Sequence, residues 1–133
     1  MKYGFKYIPF VGRLSSFNTD FYNTLKTLQL NSVAKIDMKL DPFSGKDITE
    51  SLRTFAFHID TPKIRQTNYK CGVKLNFVCD RSEPQMHVKF NSGQKALLKT
   101  SNLNALEIAQ EFKVLCDIQE RKADEAQAKK GRR

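Results

Sequence analysis

The side chains that could hold a metal, attack a carbonyl or pass electrons are three cysteines, Cys71, Cys79 and Cys116, and two histidines, His58 and His87. A zinc or redox site needs such ligands a few residues apart, as in Cys-x-x-Cys, and none of the five stands at that spacing. If Cys71 and Cys79 share a strand they lie roughly 26 Å apart, beyond disulfide reach. The expectation is three buried, reduced thiols and two histidines with structural or surface roles. The six glycines form no GxGxxG or GxxxxGK[ST] phosphate loop. The acids are scattered, with no pair placed by local spacing for acid and base work. No catalytic residue, metal, cofactor or small-molecule substrate is expected.

What remains is charge. Lys and Arg number 23 against 14 Asp and Glu, a formal net charge of +9, with a pI near 9.6. Such an excess attracts polyanions through its field and through counterion release. The run Lys63, Arg65, Asn68 and Lys70 places donors on a connection, where phosphate oxygens can be gripped without interrupting the fold. The closing KKGRR adds Lys129, Lys130, Arg132 and Arg133 on a flexible stem. A merely solvated charged surface is the bland alternative for both.

These residues must be positioned by regular elements. Phe21, Leu25 and Leu28 recur at helical spacing behind the possible caps Asn18 and Thr19. The period then changes: Ala34, Ile36, Met38 and Leu40 alternate with Lys35, Asp37 and Lys39, a half-buried strand ended by Pro42. A helix follows with Ile48, Leu52, Phe55 and Ile59 on one face and Ser44 and Asp47 available as caps. Thr61 and Pro62 stop it. A second strand runs through Cys71, Val73, Leu75, Phe77 and Cys79, and DRSEP makes a turn.

A third strand carries Met86, Val88 and Phe90 on one side and His87 and Lys89 on the other, and NSG leads into a fourth, KALLK. The last helix starts with Asn104 as N-cap, Glu107 closing a capping box and Leu103 stapled to Ile108. Its core stripe is Ala105, Ile108, Ala109, Phe112 and Leu115 or Cys116. Past Ile118 the charged, alanine-rich sequence predicts a solvent-exposed helical extension.

The expected fold class is α/β (α+β), thioredoxin-like: a four-stranded mixed sheet in β-α-β-β-β-α order. The domain boundaries follow: an N-terminal arm with a short helix over 1–31, a thioredoxin-like domain over 32–118, and a charged helical extension with a basic tail over 119–133. One sheet face should carry the two helices and the other should be polar, presenting Lys35, Lys39, Lys74, His87 and Lys89. The N-terminal helix could fold back over part of it. A thioredoxin-like enzyme would need its cysteine at the head of the first helix, where the helix dipole lowers its pKa. That place reads DPFSGKD, so a redox role lacks its nucleophile.

No apolar run is long enough to span a bilayer. The first 19 residues carry Lys2, Lys6 and Arg13 with no acid, a composition shared by mitochondrial import signals. Pro9 and Gly12 interrupt a helix there, so the segment reads equally as a retained arm.

The segments KLDPFSG, KIRQTNYKCGV, CDRSEP, VKFNSG and LNALEIAQEF occur in this order from about Lys35 to Phe112. With the Asp-Pro-Phe turn, the Lys63, Arg65, Thr67, Asn68 run, Glu83-Pro84 and the Leu106-Glu107 helix start, they resemble the family of mitochondrial large ribosomal subunit protein fifty-three. The resemblance implies a thioredoxin-like fold without the redox motif, no enzymatic activity, and residence in the mitochondrial large ribosomal subunit, toward its factor-binding stalk. It brings no catalytic residues and transfers no RNA contacts.

The RNA-binding residues expected from charge and position are therefore Lys63, Arg65, Asn68, Lys70, Lys74, Lys89, Lys129, Lys130, Arg132 and Arg133. The expected partners are mitochondrial large-subunit rRNA and neighbouring mitochondrial ribosomal proteins, in the mitochondrial matrix. Two rivals stand beside this reading. A free-standing RNA-binding module would want paired aromatics on the outer sheet face, which are missing. A thioredoxin-like oxidoreductase would need disulfide reduction dependent on Cys71 or Cys116.

Overall fold

The structure, a computed structural model, describes residues 16–132, with side chains described from residue 19 onward. The elements are α1 (Ser16–Thr27), β1 (Val33–Leu40), α2 (Lys46–Ile59), the single turn α3 (Pro62–Arg65), β2 (Gly72–Phe77), β3 (Gln85–Phe90), β4 (Lys95–Lys99) and α4 (Ala105–Gly131). The strands form one mixed sheet in the order β2-β1-β3-β4. β2 runs parallel to β1, while β3 is antiparallel to both β1 and β4. The parallel pair forces a crossover, which α2 provides, and the β3–β4 pair closes through a tight turn.

The period-2 pattern selects the faces. Ile36, Met38 and Leu40 from β1 and Met86, Val88 and Phe90 from β3 are all buried in the core. A register shift between Val33 and Lys35 turns Val33 inward and leaves Ala34 only half-buried, where strict alternation would have buried Ala34. α2 and α4 pack against each other beside this face, with the Phe55 and Phe112 rings edge-on at 5.7 Å.

The helix faces refine the periodicity. α2 buries Thr49, Leu52, Phe55, Ala56 and Ile59, while Ile48 is 42% exposed. Its N-cap is Gly45, so neither Ser44 nor Asp47 caps the helix, although Asp47 does lie in its first turn. α4 buries Ala105, Ile108, Ala109, Phe112 and Cys116, with Leu115 half-buried. At its start Glu107 accepts the Asn104 backbone N–H at 2.8 Å, closing the capping box.

α1 begins at Ser16, ahead of the Asn18 and Thr19 caps expected for it. It packs on α4 and contributes Phe21 and Leu25 to the common core, joined by Leu28 just beyond its end. Phe21 and Tyr22 hold His58 of α2 edge-on at 5.2 and 5.6 Å, a structural setting for that histidine. α1 thus sits on the helical side, and the outer sheet face is open among the described residues.

β2 is an edge strand, and its coverage fails along its length. Cys71 just before it is buried, Val73 and Leu75 are half-buried, and Phe77 is 60% exposed. The strand stops at Phe77, so Cys79 lies in the following loop and is exposed rather than buried.

Candidate nucleic-acid interface

The strand register sets twelve side-chain positions on the outer sheet face in three rows. One row reads Gly72, Lys35, Lys89, Lys95; the next Lys74, Asp37, His87, Leu97; the last Asn76, Lys39, Gln85, Lys99. Adjacent strands lie about 4.8 Å apart, so Lys35, Lys89 and Lys95 stand directly opposite one another on three neighbouring strands within about 10 Å. Like charges so placed destabilise a sheet. Two lysines are partly neutralised, Lys35 by Asp37 at 2.7 Å and Lys39 by Asp80 at 2.6 Å. Among the described residues Lys74, Lys89, Lys95 and Lys99 have no acidic partner.

Lys39 and two hydrogen bonds from Ser82 hold the Asp80 carboxyl well below the usual carboxylate range. The sheet face keeps a strong excess of positive charge regardless. Lys95 and Lys99 were not among the residues singled out from the sequence. The signal was present in KALLK, whose first, third and fifth residues must share a face once the strand is recognised.

The residues expected on the α2–β2 connection divide into two kinds. Lys63 and Lys70 are exposed. Arg65 is spent internally: its Nη1 donates to the Cys71 carbonyl and its Nε faces Asp60 Oδ1 at 3.6 Å. Asn68 is likewise a staple, its Nδ2 donating to the Leu30 and Val33 carbonyls at 3.0 and 2.9 Å. Its Oδ1 accepts the Lys70 backbone N–H at 3.1 Å. Thr67 Oγ1 accepts the Leu30 N–H at 3.0 Å and donates to the Ile64 carbonyl at 2.6 Å. The connection is therefore a rigid clasp on the turn before β1, and its first part is the helical turn α3 rather than open loop.

The clasp lies at the sheet end where β1, β2 and β4 begin and β3 finishes. The row containing Lys35, Lys89 and Lys95 runs along this same end. So does the exit of α4: Gln119 Nε2 donates to Gln94 Oε1 at 2.7 Å, and Ser92 Oγ donates to Gln119 Oε1 at 3.0 Å. Beyond Gln119 the helix continues to Gly131, roughly 18 Å further, with residues 121–132 exposed. Lys129 and Lys130 occupy its last turn, where cations complement the helix dipole, and are helical rather than flexible. Arg132 is the C-cap and exposed; Arg133 lies outside the described residues. The fold thus gathers Lys70, Lys74 and Lys89 near one end and face, leaves Lys63 at the same end but on the helical side beside Tyr22 and Lys26 of α1, and sends Lys129, Lys130 and Arg132 outward from that end.

The opposite end holds the place where a reactive thiol would be sought. There Asp41, only 2% exposed, accepts the Phe43 and Arg81 backbone N–H groups, each at 2.9 Å. The turn is built around a buried carboxylate, and Gly45 caps the helix. Burial raises the Cys71 thiol pKa. It also pushes Cys116 up to about 12, against a small opposing effect of Ser32. Both thiols stay protonated and enclosed. Among the described residues no cluster of His, Cys, Asp and Glu is placed to hold a metal ion, and no helix is long and apolar enough to cross a membrane.

Residues 40–93 match the sequence family described as 39S ribosomal protein L53/MRP-L53. The match runs from the end of β1, through the clasp and β2, to Gly93 of the β3–β4 turn. It takes in three of the five segments that carried the resemblance and all but Lys39 of KLDPFSG, and leaves LNALEIAQEF, at the start of α4, outside.

Proposed function

We propose, from the premise that the chain belongs through residues 40–93 to the mitochondrial 39S ribosomal protein L53 family, that it packs against large-subunit ribosomal RNA through its lysine-bearing sheet face. The protein is a mitochondrial ribosomal protein, located in the mitochondrial matrix, and not an enzyme. Ribosome components are its partners.

The observation that carries the RNA contact is the run of three directly opposed lysines, Lys35, Lys89 and Lys95. An isolated sheet gains nothing from that arrangement, since each opposed pair of like charges is unfavourable. A phosphate backbone laid across it converts the repulsion into attraction and releases counterions. Lys70 and Lys74 extend the surface at one flank, Lys63 adds charge at the same end from the helical side, and Lys129, Lys130 and Arg132 extend it along the projecting helix. Arg65 and Asn68 contribute indirectly by fixing the clasp from which Lys63 and Lys70 project. The contact reads phosphates, with no sequence-specific base recognition required for it. Neighbouring ribosomal proteins are the second class of partner. The half-covered β2 edge, with Val73, Leu75 and Phe57 about its groove, supports such contacts.

A thioredoxin-like description of the body, residues 32–118, is supported by the β2-β1-β3-β4 order, the single parallel pair joined by a helix and the antiparallel β3–β4 hairpin. α1 then adds to that body, and residues 119–132 run outward from it.

The test is sedimentation of a tagged copy from lysed mitochondria through sucrose gradients at moderate and high salt. Co-migration with the large subunit at both, with Lys89→Gln/Lys95→Gln lost first at high salt, is the expected result. A double variant as salt-resistant as wild type removes the sheet face as the RNA contact, and a free, slowly sedimenting wild type points to an RNA-binding module outside the ribosome.

A further inference from the structure

We propose that Tyr69 is a stacking platform for an unpaired RNA base, set beside the lysine row that holds the same strand's phosphates. The inference rests on the reading above that this basic surface meets ribosomal RNA. Tyr69 is 75% exposed, yet the chain on either side of it is firmly held. Thr67 and Asn68 before it are hydrogen-bonded to the turn preceding β1. After it, the Lys70 N–H donates to Asn68 Oδ1, and the Cys71 carbonyl is taken by Arg65. The polar groups of its neighbours fix the backbone, while the tyrosine ring points to water. A ring with two side-chain rotations on a rigid backbone loses little entropy when something packs on it.

Its location selects the ligand. β2 opens at Gly72, which occupies the lysine row without a side chain, and Lys35, Lys89 and Lys95 follow it across the sheet. Lys70 follows the ring directly in sequence, and Lys63 lies six residues before it on the same clasp. The nearby carboxylates are engaged, Asp60 by Arg65 and Asp37 by Lys35, so the surroundings of the ring are cationic. Single-stranded RNA is held by this combination: cations along the backbone and an aromatic face for a splayed base. The outer sheet face has no phenylalanine, tyrosine or tryptophan, and the one ring on it is the His87 imidazole in the middle row. Of the other exposed aromatics among the described residues, Tyr22 is packed edge-on against His58 on the helical side, Phe43 and Phe77 lie at the far end of the sheet, and Phe57 lines the apolar groove beside β2.

The chain contains no tryptophan, so Tyr69→Trp introduces a single indole reporter. The purified full chain is titrated with a short oligouridylate and with a blunt RNA duplex over a range of salt. The expected results are quenching of the indole by the single strand, and a loss of about 5- to 100-fold in single-strand affinity for Tyr69→Ala with an unchanged salt slope. Duplex binding is unaffected and Tyr69→Phe binds like wild type. Lys63→Ala/Lys70→Ala instead flattens the salt slope. If Tyr69→Ala binds the single strand as wild type while the lysine variant is weakened, stacking is overturned and the phosphate contact stands. Equal weakening of single strand and duplex by Tyr69→Ala also overturns stacking. Failure of the wild type to bind either RNA overturns both readings. Unchanged RNA binding together with loosened attachment of Tyr69→Ala to the particle assigns the ring to a protein contact and overturns the proposal.

Discussion

Asn68 Nδ2 donates to the main-chain oxygen of Val33 at 2.9 Å, across 35 residues of sequence. The same amide also reaches the Leu30 carbonyl, so one side chain ties the entry of β1 to the connection that leads into β2. A residue that looked like a phosphate donor is instead a structural staple, and the distinction can be measured.

Asn68→Ala takes the side-chain donor from the Val33 carbonyl, leaves the Leu30 carbonyl with the Val33 N–H alone, and frees the Lys70 N–H. The expected loss is about 2–3 kcal/mol of stability, a fall in Tm of several degrees. Lys63→Ala and Lys70→Ala should each move stability by less than about 0.5 kcal/mol. Thermal unfolding of the three variants decides it: equal Tm values for Asn68→Ala and Lys70→Ala would remove the staple.

The opposed lysines predict a change of opposite sign in two assays. Lys89→Gln/Lys95→Gln relieves cross-strand repulsion and should stabilise the isolated protein by a few tenths of a kcal/mol per relieved pair. The same variant should leave the large subunit at lower salt than wild type. Denaturant unfolding and gradient sedimentation of one preparation measure both; stabilisation without loosened binding contradicts an RNA role for this row.

Deleting residues 121–133 removes helix that touches the body little, so the unfolding midpoint should move by no more than about 0.5 kcal/mol of stability. Attachment to the particle should become more salt-sensitive through loss of Lys129, Lys130, Arg132 and Arg133. A large fall in Tm would mean that the extension belongs to the folded body. Gln119 must be kept, since it is buried and bonded to Ser92 and Gln94.

The thiols divide by burial. Brief treatment with iodoacetamide near neutral pH should modify Cys79 and spare Cys71 and Cys116, as read by mass spectrometry. Cys116 is held protonated up to about pH 12, above the ordinary thiol value of 9.0. A raised folded-state pKa means stability that is fully present below pH 9 and is lost as the pH climbs toward 12. Cys116→Val, similar in size, should lessen that loss relative to wild type. Identical alkaline unfolding of the two proteins would contradict the assignment.

Gly93 in the β3–β4 turn has φ +85°, and a Cβ there meets nothing within 4 Å. Gly93→Ala should therefore cost only the backbone strain, about 1 kcal/mol, visible as a modest fall in Tm without loss of the sheet's circular-dichroism signature.

Hydrophobic periodicity by itself determined the four strands, the main helices, most of the inward residues and the capping box at Asn104, because period 2, period 3.6 and cap chemistry are local properties of a chain. The motif order likewise carried the resemblance to the family whose model matches residues 40–93. Only the tertiary structure decided what each polar side chain does. Arg65 and Asn68 have the same donors whether they face phosphate or a main-chain carbonyl; for Asn68 the choice depends on the turn before β1 folding back from more than thirty residues away, and for Arg65 on the helical turn α3 setting it against the Cys71 carbonyl and Asp60. The α2 face shifted from Ile48 to Thr49, and Phe77 and Cys79 came to lie in water, because coverage depends on which strand is at the edge. The lysine row is the clearest case: Lys35, Lys89 and Lys95 are unremarkable in sequence, and strand order and register alone set them side by side.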